Sequence, residues 1–190
     1  MKFTPDQKKL VIHALGEAEE QTSRYYCIPP FRWQQLQYDL LTGEDREWIP
    51  LPEPILAQLQ LFHRFSPVSK STSEFYRIQL NDPSILMAAE RELLVSDLYP
   101  FLVFILTHEM VHLVRLSSLL NVTHPDKAAE SEEMRVQHIS RQIFSKTNYH
   151  GMKGVIDRFC SSGREKECSC NLIIQDKLID FSEGRLQPVP

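Results

Sequence analysis

Along much of this chain apolar positions recur every three or four residues, the spacing of helices with one buried face. Leu10, Val11, Ala14, Leu15 and Ala18 make the first such stripe, with lysines and glutamates opposite. Thr4-Pro5-Asp6-Gln7 supplies its start: Thr4 as N-cap, Pro5 in the opening turn and Gln7 closing a capping box. The pattern predicts a helix from there to about residue 24, ended ahead of Pro29-Pro30. Residues 33–41 read as a short helix, followed by irregular chain punctuated by Gly43, Pro50, Pro52 and Pro54. Residues 55–65 read as another amphipathic helix and 66–73 as a polar loop. The run Glu74-Phe75-Tyr76-Arg77-Ile78-Gln79-Leu80 partly alternates and is rich in strand formers, so it is the chain's best strand candidate. Asn81-Asp82-Pro83 ends it and opens a helix to about residue 92.

Two longer helical patterns follow. One starts near Pro100 and runs to Leu120, with Asn121 as its stop; the other starts at Pro125-Asp126 and runs to about Lys146, closed by a turn over 148–151. The expected fold is mainly α, with α+β as the variant: a compact helical core with a small edge strand or sheet. One domain is expected over 1–150, and a cysteine-containing extension over 151–190, packed on it or partly flexible.

Composition sharpens this only a little. At 190 residues and 42% hydrophobic the chain is long enough for one domain with a real core. Its net charge of −4 gives no global attraction to nucleic acid or to an anionic membrane, and neither is expected as a partner. The N-terminal residues are polar, and the longest apolar run, 101–106, is too short to span a bilayer; a cytoplasmic location is the expectation. In that compartment Cys27, Cys160, Cys168 and Cys170 are expected as free or redox-active thiols, with a second metal site on the last three as the alternative. Their spacing matches no zinc-ribbon or iron–sulfur pattern.

The chemistry concentrates in Thr107-His108-Glu109-Met110-Val111-His112. Residues four apart on a helix are separated by roughly 40° around the axis and about 6 Å along it, so His108 and His112 can bind one ion through their imidazoles. Glu109 lies to one side, placed to reach a water at the ion's open position. Two neutral imidazoles to hold Zn²⁺ and a carboxylate to take a proton is the division of labour this spacing provides. The flanks Ile105, Leu106, Met110, Val111, Leu113 and Val114 are apolar, as the walls of a catalytic metal site require.

The segment from Ile105 to Val114 resembles the extended signature of the zinc metallopeptidases, in which hydrophobic residues bracket HExxH. Arg115 and Ser118 stand where the metzincin branch carries a glycine and a histidine, which argues against that branch. The gluzincin branch places a third ligand, a glutamate, on a following helix, and this resemblance implies Glu133 for the role. Glu132, Glu130, His124 and His138 stay open as rivals. Glu133-Met134-Arg135-Val136-Gln137 is similar to the Glu-x-x-Ala-Asp pattern of several gluzincin families, with Gln137 in the place of the aspartate that supports a histidine. The resemblance covers roughly residues 98–144 and implies one Zn²⁺ per chain, a peptide or protein substrate and Glu-assisted hydrolysis.

Around this set, Arg115 falls on the side of His112 and is read either as a receptor for a substrate carboxylate or as an ion-pair partner of Glu130 or Glu132. Tyr149 and His150 are the nearest candidates in sequence for an oxyanion donor, or simply turn residues. The strand 74–80 is a candidate edge for pairing with an extended substrate. Two other functions compete: a non-catalytic or regulatory zinc protein, and a ferritin-like di-iron bundle. The latter needs a second Glu-x-x-His pair that the chain lacks: Glu133 meets Val136 at that spacing.

Overall fold

The computed structural model describes residues 1–66, 71–117, 129–145, 149–160 and 173–179. The architecture is mainly α-helical with a small sheet. Helix α1 (Pro5–Tyr26) leads through a one-turn α2 (Pro30–Trp33) to strand β1 (Tyr38–Leu41). A hairpin of β2 (Ala57–Ser66) and β3 (Ser71–Leu80) follows, then α3 (Asp82–Arg91), α4 (Leu98–Leu116) and α5 (Ala129–Ser145). A short α6 (Met152–Val155) runs into a π-helical turn (Ile156–Cys160), and β4 (Ile173–Ile179) closes the described order. The sheet order is β1-β3-β2-β4, with β2 and β3 antiparallel and each outer strand parallel to its neighbour.

Helix α1 forms as its sequence predicts. The Gln7 N–H donates to Thr4 Oγ1 and the Thr4 N–H donates to Gln7 Oε1, a complete capping box. Its stripe of Val11, Ala14, Ala18 and Thr22 is buried, and the helix packs along α4. Every residue of α4 from Pro100 to Val114 is buried. A helix apolar all round belongs in an interior, and α4 lies there, flanked by α1, α5, α6 and the sheet. By length and composition it would also suit a membrane, but burial within the fold accounts for its apolarity.

Four expectations need correction. Residues 55–65 form strand β2 rather than a helix. Leu59 and Leu61 face the core beside Ile78 and Tyr76 of β3 while Gln58 and Gln60 alternate with them, and ten paired residues satisfy the backbone in a way a lone helix there would not. Residues 33–41 divide into the end of α2 and strand β1, because Tyr38–Leu41 completes the open edge of β3 from Tyr76 to Gln79. Strand β3, the proposed edge for a substrate, is interior over Tyr76–Gln79, where β1 pairs with one side and β2 with the other. The loop at 66–73 is also shorter than expected, since the strands extend to Ser66 and from Ser71.

One carboxylate ties distant segments together. Asp82, at the start of α3, accepts the N–H of Phe3 and the N–H of Gly43, each at 3.1 Å, which anchors the N-terminus and the turn after β1 on one group. Burial pushes its carboxyl above the usual range despite those bonds. The stop at Asn121, the helix start at Pro125 and the turn residue Asn148 lie outside the described residues, as do His124, Ser118, Cys168 and Cys170.

Candidate metal centre

The site is built where α4 and α5 face each other. His108 and His112 sit one turn apart on α4, with Nε2 atoms 3.1 Å from one another. Glu133, in the first half of α5, lies across from both: Oε1 is 3.0 Å from His108 Nε2 and Oε2 is 3.1 Å from His112 Nε2. Val136, Ile139, Ile143 and Phe144 form the buried stripe that holds α5 on the core and turns Glu133 inward. Among the described residues these three form a group of His, Cys, Asp and Glu side chains able to hold an ion, with ligand atoms within 4.8 Å of one another.

The donor set fits a small divalent cation. Bonds of about 2.0–2.1 Å in tetrahedral array place neighbouring ligand atoms about 3.3 Å apart. The observed separations of 3.0–3.1 Å are close to that edge. In the metal-free chain, protons do part of the work. Burial pushes the Glu133 carboxyl up, but its hydrogen bonds to the two imidazoles and their charge prevail and hold it at about 2. Burial lowers the His108 imidazolium, and Glu133 outweighs it, with a further contribution from the Glu109 charge, so His108 holds its proton more tightly than a free histidine.

Glu109 is 1% exposed, and its charge is felt at His108. The ring Nδ1 atoms of His108 and His112 are buried and have no hydrogen-bond partner among the described residues. Gln137, one turn beyond Glu133, is buried too, and its Nε2 also lacks a partner among the described residues.

The rivals separate cleanly. Glu132 is turned to Arg115: the guanidinium donates from Nε to Oε1 at 2.5 Å and from Nη2 to Oε2 at 2.9 Å. Burial opposes ionisation of Glu132, yet Arg115 holds its carboxyl below the usual range. Arg115 is therefore an ion-pair partner here, not an open receptor for a substrate carboxylate. His138 is exposed and hydrogen-bonded to Gln142. The backbone of Glu130 opens α5, and His124 lies outside the described residues.

Tyr149 and His150 are not brought to the centre. The Tyr149 ring packs on Phe144 at 5.9 Å, and its hydroxyl, pushed up by burial, meets Tyr99. Tyr99 precedes His108 by nine residues, about 13 Å along the helix axis. The same turn touches the start of α4 through Gly151, whose φ of 78° and closeness to Pro100 (2.8 Å from any added Cβ) admit only glycine. His150 is exposed. Cys27 is a free, exposed thiol at the left-handed cap of α1, and the backbone of Cys160 ends the π-helical turn.

A residue the sequence reading passed over is Tyr26. It stands beside Arg115, and its hydroxyl is pushed up to about 12, by burial first, with Arg115 opposing. Its signal was the α1 stripe, which continues one turn past Thr22 to Tyr26. Comparison of the chain with protein-family models, with curated proteins and with solved structures found no match.

Proposed function

We propose that this chain is a zinc-dependent hydrolase acting on peptide bonds, with His108, His112 and Glu133 as the metal ligands and Glu109 as the general base. The observation that carries the reading is the convergence, 3.0–3.1 Å apart, of two buried imidazole nitrogens on the helix that also bears Glu109 and one carboxylate from α5. Zn²⁺ held there supplies Lewis acidity toward a carbonyl oxygen and makes a water more acidic near neutral pH. The remaining steps belong to the chain. Glu109 accepts the proton that the attacking water gives up and returns it to the departing nitrogen. The apolar residues around the motif keep bulk water away, which strengthens each charge interaction inside. The resemblance of Ile105–Val114 and of the Glu133 run to gluzincins supports the choice of peptide bonds.

The test separates chemistry from binding. Glu109→Gln is expected to keep one zinc per chain by elemental analysis and to lose roughly 10²–10⁴-fold in peptide cleavage. Unchanged cleavage in that variant would sink the mechanism. A second reading, a zinc protein without general proteolysis, draws on the burial of the site: His108 and Glu109 are 1% exposed and His112 2%, leaving the Glu133 side chain, at 25%, as the open edge. Stoichiometric zinc with no cleavage across a broad peptide library would favour it.

A further inference from the structure

Beside the ligand set lies a second charged group that the proposed chemistry does not use. Arg115 follows His112 by one turn on α4, and Glu132 immediately precedes Glu133 on α5. Their two-pronged hydrogen bond spans the two helices beside the ligand atoms, and both side chains are nearly buried, at 12% and 8% exposure. Arg135 also approaches Glu132, at 3.9 Å, but it is exposed and adds little. From the third helix Tyr26 abuts the guanidinium, so α1, α4 and α5 meet at Arg115.

We propose that Arg115 is a positioning residue for the metal centre: it grips Glu132 and thereby sets where the neighbouring Glu133 carboxylate stands against His108 and His112. The inference rests on the reading of those three residues as ligands. A fork-to-carboxylate pair fixes angle as well as distance, which a single point charge does not. Because Glu132 and Glu133 are consecutive, a turn or slide of α5 that broke the first contact would displace the second. Charge points the same way. Glu109, Glu132 and Glu133 crowd three carboxylates into one buried region, and one guanidinium with one divalent cation balances them. Without Arg115, Glu132 would be left as a buried, uncompensated neighbour, free to swing toward the ion in competition with Glu133.

The experiment uses the full chain loaded with Zn²⁺ or Co²⁺. Arg115→Met and Glu132→Gln are each expected to weaken metal binding roughly 10–100-fold, the range seen when a group behind a ligand is removed. Each is expected to change the visible absorption of the cobalt-loaded protein at saturation, because ligand geometry itself has altered. Arg115→Lys is expected to recover part of the affinity, and the double variant Arg115→Met/Glu132→Gln to lose little beyond the worse single one. Wild-type affinity and wild-type cobalt spectra in both single variants overturn the proposal, as does a lowered melting temperature with affinity and spectrum unchanged. A wild-type chain that takes up neither metal fails at an earlier point, refuting the ligand assignment itself.

Discussion

Two clusters of buried charge among the described residues differ in whether the chain supplies the opposite charge. On the sheet, Arg77 donates from Nε and Nη2 to Asp39 and reaches Glu47 at 2.6 Å, while its guanidinium lies 5.6 Å from the Phe62 ring centre. Every strong group there has a partner of opposite kind, and the cluster closes on itself. Between α4 and α5 the groups are alike: two imidazole nitrogens and two carboxylate oxygens, all able to accept, turn toward one small volume. Protons can fill that volume in part, and a divalent cation would satisfy it more fully. Convergence of acceptors, rather than burial of charge as such, distinguishes a ligand set from a structural ion pair.

The contrast can be broken by experiment. The largest effect is expected from Glu133→Ala, which should weaken zinc binding by more than about a hundredfold, beyond what loss of a supporting group costs; isothermal titration with Zn²⁺ measures it. Chelation should then lower the melting temperature of the wild-type chain, since a ligand at 100 times its Kd adds about 2.7 kcal/mol, and leave Glu133→Ala almost unmoved. Equal responses of the two proteins would show that the metal binds elsewhere.

Arg77→Met should do the reverse. It is expected to cost about 1.5–3 kcal/mol in denaturant unfolding, the range for hydrogen bonds to charged groups, without altering zinc affinity. The loss stays within that range because Asp39 and Glu47 are partly exposed and regain water.

A further effect concerns acid. In the metal-free chain Glu133 is held at about 2, below its ordinary 4.5. A carboxyl depressed on folding contributes stability that is complete above pH 4.5 and drains as pH falls toward 2. Glu133→Gln should therefore flatten the stability curve over that window, read by urea unfolding at successive pH values. Glu132, also held below its usual value, titrates in the same acid range and leaves a residual slope.

How much of this was legible beforehand follows from how local each signal is. Thr4, Pro5 and Gln7 state the start of α1 because a capping box involves four consecutive residues. His108, Glu109 and His112 state their own geometry because helix pitch alone sets it. Residues 55–65 misled for the opposite reason: a short apolar run satisfies either period, and pairing with β3, a contact made by another part of the chain, decides between them.

The sequence by itself therefore determined the two histidines, the adjacent glutamate and the helix that presents them. It also narrowed the side chain that could join them to a handful of candidates. Only the tertiary structure decided that Glu133 faces the imidazoles while Glu132 turns to Arg115. One residue along a helix is a rotation of about 100°, and which of two neighbouring carboxylates points inward depends on the packing of Val136, Ile139 and Ile143 against α4. It also moved Tyr149 away from the centre, brought Tyr26 beside Arg115, and paired β3 on both sides over Tyr76–Gln79. Such long-range placements come from burying several faces at once, and no local pattern in the chain encodes them.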